Sequence, residues 1–158
     1  GEIYGLIGKN GSGKTTLFRI LTGLIQRYNG TVSVGKVNTH KSKVSAVINS
    51  PSLFLNLSAF ENMKAQAFLL GIHNDSRIKQ TLKTVGLQDY KNILAKNFSL
   101  GMTQRLKLGM ALLKTPDILI LDEPINGLDP DGIVELRELL LNLNHTDGMT
   151  ILTSSQIL

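Results

Sequence analysis

Gly8-Lys9-Asn10-Gly11-Ser12-Gly13-Lys14-Thr15 matches G-x-x-x-x-G-K-[ST] in full. Before it, Ile3-Tyr4-Gly5-Leu6-Ile7 reads as a short buried strand. After it, Leu17, Ile20, Leu21 and Leu24 fall at i, i+3, i+4, i+7, so a helix opens at the motif. Phosphate size and charge explain the pattern. Gly11 and Gly13 let the backbone curl so that N–H groups point inward at phosphate oxygens, and the helix N-terminus adds partial positive charge. Lys14 supplies a mobile full charge for the β- and γ-phosphates, and the Thr15 hydroxyl is placed to ligate Mg²⁺. The plain alternative is a glycine-rich turn that precedes a helix. The bare pattern should arise by chance in roughly one chain in 200 of this length, and the flanking strand and helix favour nucleotide binding. Gly8, Asn10, Gly11, Ser12, Gly13, Lys14, Thr15 and Thr16 form the expected binding set.

The chain has 158 residues, for which one domain is the default, and 42% apolar content, ample for a core. No apolar run approaches the ~20 residues that cross a bilayer. Gly1-Glu2 leading straight into a strand is read as the absence of a secretory signal. With no cysteine there is neither a disulfide framework nor a thiolate metal site. A soluble, intracellular protein is expected. The net charge of +5 is mild, and Lys36, His40, Lys41 and Lys43 form a local basic cluster. It reads as a solvated loop in preference to a phosphate-backbone contact. Tyr and Phe do not interleave with basic residues, so no nucleic-acid partner is expected.

Further along, Gly23 is placed to end the first helix. Thr31 to Val34 suggests an edge strand, and Val44 to Ile48 a better one, stopped by Asn49-Ser50-Pro51. A mostly helical block follows. Phe60, Met63, Ala67 and Leu70 share one face before Gly71; Ile78, Leu82 and Val85 share another between Asn74-Asp75 and Gly86. Gln104 to Leu113 reads as a third helix, with Leu106, Met110 and Leu113 on one side, before Pro116 breaks the chain. Ile118-Leu119-Ile120-Leu121 reads as a buried parallel strand delivering Asp122 and Glu123 at its C-terminal end. Asp129-Pro130 supplies an N-cap and a proline at N1 for a helix faced by Ile133, Leu136, Leu140 and Leu143. Met149 to Thr153 is the last strand. Strands alternating with helices predict an α/β fold on a parallel sheet, without repeat, linker or low-complexity tract.

Asp122 has the context of a strand-borne Mg²⁺ ligand. Glu123 is suited to take a proton from an attacking water as general base. An Asp-Glu-Pro turn that simply leaves the sheet is the alternative. An apolar strand combined with the Gly8–Thr15 loop is what the mechanism requires.

Walker A at Gly8–Thr15, Walker B at Ile118–Glu123, and Phe98-Ser99-Leu100-Gly101-Met102-Thr103-Gln104-Arg105 between them resemble the nucleotide-binding subunit of an ABC transporter. Ser99, Gly101, Gln104 and Arg105 match its L-S-G-G-Q…Q-R signature. Gly127-Leu128-Asp129 is similar to its D-loop, and Ser58 to Asn62 to the segment after its Q-loop. The S-L-G-M wording is similar to the branch that exports or resists bacitracin and lantibiotics. The resemblance implies a P-loop NTPase core with a mostly parallel sheet. It implies an inserted α-helical lobe, 52–113, within one domain spanning 1–158 and truncated at both ends. ATP and Mg²⁺ are the implied cofactors. The implied partners are a second nucleotide-binding subunit, docked head to tail so that Ser99, Gly101 and Met102 close over the other copy's ATP, and an integral membrane permease. The implied location is cytoplasmic, peripheral on the inner face of the cell membrane. Ser99 before a helix fits a second anion site, one that a single nucleotide in a single copy cannot readily use.

Three departures from the family stand out. Asn49 occupies the Q-loop position, where the family usually has Gln; it is a shorter candidate contact to Mg²⁺ and the attacking water. Gln156 occupies the place of the switch histidine; it can hydrogen-bond a γ-phosphate but cannot carry a proton. His145 precedes the last strand and reads, like His73, as an exposed loop residue. The family's earlier strand and adenine-stacking aromatic are expected upstream of Gly1. Glu123, Gln156 and Asn49 are therefore the catalytic candidates, and Thr15, Asp122 and Asn49 the metal candidates. An ATPase that drives export is the favoured function. The alternatives are a dimerisation switch with weak hydrolysis and a soluble, non-transport ABC ATPase.

Overall fold

Ile3–Ile7 (β1), Val44–Val47 (β2), Ile118–Leu121 (β3) and Thr150–Ser155 (β4) form one sheet in the order β1-β4-β3-β2, with every neighbouring pair parallel. The computed structural model describes residues 1–33, 43–48 and 53–156. Val34, Lys36, His40 and Lys41, and Asn49 to Pro51, on which expectations were placed, lie outside the described residues. Ile7 pairs with Ser155, and Leu121 with Thr153. The loops leaving β1, β4 and β3 therefore emerge at the same end of the sheet, where parallel α/β sheets bind ligands.

Lys14–Leu21 (α1), Ala59–Leu69 (α2), Asp75–Thr84 (α3), Leu100–Leu112 (α4) and Pro130–Asp147 (α5) complete the described elements. Their ends follow local chemistry. Asn74 caps α3 by accepting from Ser76 N–H, and Gly86, at φ 68°, ends it. Asp129 accepts from Gly132 N–H with Pro130 in the first turn of α5. Ser58 and Glu61 form a reciprocal capping box on α2. Ser58 Oγ accepts from Glu61 N at 3.2 Å, and Glu61 Oε2 accepts from Ser58 N at 2.7 Å. The backbone donor at Ser58 holds the Glu61 carboxyl below its usual pKa. A depressed carboxyl pKa stabilises the fold above the unfolded value, and that contribution is lost as pH falls through the folded value. Ser58→Ala removes the cap and is expected to cost about 1 kcal/mol, read as a fall of about 2–4 °C in thermal midpoint; no change would show that Glu61 alone suffices.

One hydrophobic cluster runs from the helices into the sheet. It joins Met63 and Ala67 of α2, Ile78 and Leu82 of α3 and Leu106 of α4 to Leu119 and Leu121 of β3 and Leu136 and Leu140 of α5. Asn62, 1% exposed, anchors the approach to α2. Its Oδ1 accepts from Phe54 N at 2.9 Å, and its Nδ2 donates to Phe54 O at 3.0 Å and Ser58 O at 2.9 Å.

Several expectations need correction. β1 is a strand but not a buried one, with Ile3, Tyr4 and Ile7 at 40%, 52% and 50% exposure. It lies at the sheet edge with β4 as its partner. In α1 the fully buried side chain is Phe18, while Leu17 and Leu24 are exposed. An eight-residue helix samples its period barely twice, and Leu24 lies beyond the C-cap Thr22. Thr31, Val32 and Ser33 form no strand. The helix expected from Gln104, α4, starts at Leu100 because Ser99 caps it and Gly101 is tolerated in the first turn. The last strand runs Thr150–Ser155, later than Met149–Thr153, because its pairing with β1 carries it on to Ser155.

Candidate functional site

β1 ends at Ile7, and Gly8 N then donates to Ser155 O at 3.2 Å, tying the loop to β4. Gly11 (φ 80°) and Gly13 (φ 92°) turn the loop back through backbone conformations that side chains disfavour. Gly13 is the N-cap of α1, where no side chain caps the helix and no acidic residue stands in the first turn. Such a terminus offers amides and partial positive charge to an anion. Lys14, only 7% exposed, folds back over the loop. Its Nζ donates to Gly8 O at 2.5 Å and Lys9 O at 3.1 Å, and lies 3.8 Å from Glu123 Oε1. A charge this buried requires such partners.

The carboxylates arrive from β3. Thr15 Oγ1 donates to Asp122 Oδ2 at 2.6 Å, joining residues 107 apart in sequence. Ser154 Oγ on β4 donates to Asp122 Oδ1 at 2.7 Å and accepts the Glu123 N–H at 2.8 Å. Glu123 itself sits at φ 50°. Its Oε2 accepts from Gln156 Nε2 at 2.7 Å and from Asn126 Nδ2 at 2.9 Å. Thr15, Asp122, Glu123, Lys14 and Gln156 are thus brought together, with Gly8, Asn10, Gly11, Ser12, Gly13 and Thr16 in the loop and helix start beside them. Asn49 lies outside the described residues.

The residues fit a magnesium nucleotide. Thr15 Oγ1 and Asp122 are hard oxygen donors already in contact, and among the described residues no group of three His, Cys, Asp or Glu side chains forms a metal cage. Mg²⁺ suits such a half-site, because it takes one or two protein oxygens and completes its shell with phosphate and water.

Ser99, Gly101 and Met102 lie elsewhere. Ser99 Oγ accepts from Met102 N at 3.2 Å, so the Met102 amide is already engaged by the cap of α4. With Gly127, Leu128 and Asp129 these residues line an open pocket of ≈ 380 Å³. Gly127, at φ 77°, packs so closely that a Cβ there would come within 3.0 Å of Leu100 Cδ2. Among the described residues none of the three hydrogen-bonds to Lys14, Asp122 or Glu123. His73 and His145 are exposed and likewise outside the cluster, but His145 stands in the last turn of α5 and not in a loop.

Sequence reading missed Ser154 and Asn126. Asn126 sits three residues past Glu123, a turn spacing that could have flagged it. Ser154 becomes legible only once β4 is known to lie between β1 and β3.

A family model described as ABC transporter matches residues 1–126. The whole chain is 44% identical to the Bacitracin transport ATP-binding protein BcrA of Bacillus licheniformis, covering 54% of that protein. It is 45% identical to the Lantibiotic transport ATP-binding protein SrtF of Streptococcus pyogenes, covering 69% of it. The chain spans about half the length of the first of these relatives. In structure, 99% of the chain superposes on 67% of cbiO1 from Clostridium perfringens, part of the ABC transporter complex cbiONQ, with a TM-score of 0.85 and 27% identity. The Gly8–Thr15 loop, the strand-borne Asp122-Glu123 pair and the Ser99-capped α4 stand on a fold that agrees with those likenesses, and the chain belongs to the ABC transporter family, among its ATP-binding domains.

Proposed function

We propose that this domain hydrolyses Mg-ATP in a head-to-tail pair with a second nucleotide-binding subunit and so powers export by a membrane permease. The observation that carries the reading is the convergence of Lys14, Thr15, Asp122 and Glu123 at one end of the sheet. Lys14 leaves Gly8 O and Lys9 O to engage the β- and γ-phosphates. Thr15 and Asp122 would hold Mg²⁺, which would supply charge neutralisation at the phosphates. Glu123 accepts the proton of the attacking water, and Gln156, through its hydrogen bond to Oε2, fixes the carboxylate's rotamer. Ser99 and the first turn of α4 at Gly101 and Met102 seal the partner's nucleotide, which accounts for an anion-suited helix N-terminus away from Lys14; the Met102 amide, held by Ser99 Oγ here, would have to exchange that cap for the phosphate to donate to it.

Among the described residues no helix is long and apolar enough to cross a membrane, and in this reading a membrane permease supplies the route across the bilayer. The domain works at its cytoplasmic face. The names of BcrA and SrtF support a bacitracin- or lantibiotic-like cargo, and transport in preference to a soluble role. One observation favours a second reading, a dimerisation switch with weak hydrolysis: Gln156, which cannot shuttle a proton, occupies the position facing Glu123.

The test is Mg-ATP turnover of the purified protein as a function of its concentration. A site shared between copies makes the rate per chain rise with concentration until dimer saturates. A rate per chain that stays flat down to the detection limit argues for a self-sufficient monomer and against the shared site.

A further inference from the structure

Ser154 is 1% exposed, on the strand that separates the phosphate loop from the Asp122 strand. Its hydroxyl carries one proton and can also accept. The proton goes to Asp122 Oδ1 at 2.7 Å, and the oxygen takes the Glu123 N–H at 2.8 Å. Both bonds bear on reacting groups. Asp122 offers its other oxygen, Oδ2, to Thr15 at 2.6 Å. The Glu123 backbone, at φ 50°, lies where L-residues rarely go. Pro124 follows it, and a residue before proline is pressed towards extended conformations instead. Local preference therefore opposes the turn that brings Oε1 to 3.8 Å from Lys14 and Oε2 to 2.7 Å from Gln156. A contact from a neighbouring strand has to hold it.

We infer that Ser154 is a positioning residue for ATP hydrolysis: a single buried hydroxyl orients the Asp122 carboxylate towards Thr15 and locks the Glu123 turn in its productive form. The inference rests on the hydrolytic reading above. It assigns Ser154 no contact with nucleotide; it acts through Asp122 and Glu123. Partners at this remove from a metal or reacting group commonly change affinity or rate by about 10–100-fold when removed.

The test compares the parent with Ser154→Ala, Ser154→Thr and Ser154→Val. Thr and Val have the same shape, so the hydroxyl is the variable between them. Two quantities are read: Mn²⁺ affinity by electron paramagnetic resonance in the presence of a non-hydrolysable ATP analogue, and steady-state turnover. Ser154→Ala is expected to weaken Mn²⁺ binding about tenfold and lower kcat at least about tenfold, with KM for ATP within about threefold. Ser154→Thr should exceed Ser154→Val about tenfold in both quantities. Retention of parental Mn²⁺ affinity by Ser154→Ala, or equal behaviour of the Thr and Val variants, overturns the inference. A parent that hydrolyses no ATP refutes the hydrolytic reading instead, and the Mn²⁺ measurement still decides whether Ser154 orders Asp122.

Discussion

Glu123→Gln is expected to lower Mg-ATP turnover at least about a hundredfold while leaving ATP affinity within about threefold, the signature of a lost proton acceptor. The geometry makes the substitution clean. Asn126 Nδ2 and Gln156 Nε2 both donate to Glu123 Oε2, at 2.9 and 2.7 Å. A glutamine carbonyl oxygen can take that position and keep both bonds. Its amide group then falls where Oε1 stood, 3.8 Å from Lys14 Nζ. It can neither accept the water's proton nor offer Lys14 a negative charge. Lys14 is therefore no less available to phosphate, and binding should persist as hydrolysis fails. The pair of copies closed over ATP should then outlive its parental counterpart, detectable as an ATP-dependent shift to dimer on gel filtration. The measurement also separates the two readings of Gln156. If the parent already turns over at the rate of Glu123→Gln, the domain is a switch and Glu123 is not its base.

What was legible in the sequence divides by the range of the physics involved. The Gly8–Thr15 loop was legible because its constraints are local: glycines at positive φ, then a lysine and a hydroxyl at fixed spacing. The α3 boundaries at Asn74 and Gly86 were legible for the same reason, as were Asp129 and Pro130 at the start of α5. The α4 start was misplaced although Ser99 carried an N-cap signal, because Gly101 and Thr103 lower helix propensity and the cap outweighs them. Burial was the least legible property. Ile3 and Ile7 look like core residues but stand at the sheet edge. Phe18, not Leu17, turned out to be buried because neighbours set the phase of so short a helix. Ser154 was invisible because both of its bonds reach more than 30 residues back along the chain. Nothing in Thr153-Ser154-Ser155 distinguishes one hydroxyl from the next until the strand order does.

Lys14→Ala is expected to weaken ATP binding about a hundredfold, because it removes the one full positive charge enclosed by the loop. Charge-assisted hydrogen bonds contribute about 1.5–3 kcal/mol each, and about 3 kcal/mol is a factor of about 10² in affinity. The Lys14 side chain is 7% exposed, so most of its hydration was given up when the protein folded. Gly8 O, Lys9 O and Glu123 Oε1 stand in for that hydration, all within 3.8 Å. The exchange of these partners for phosphate oxygens then carries little further desolvation of the lysine, and more of the new attraction appears as affinity. Lys14→Arg tests the same argument from the other side. It keeps the charge, but a planar guanidinium has no room to point back at two carbonyls from a position this enclosed. Its affinity should fall with the alanine variant's and not recover towards the parent's. Calorimetry with Mg-ATP on the three proteins decides it. Parental affinity in Lys14→Ala would mean that the triphosphate is not held by this loop, and the assignments of Thr15 and Asp122 to the metal would fall with it.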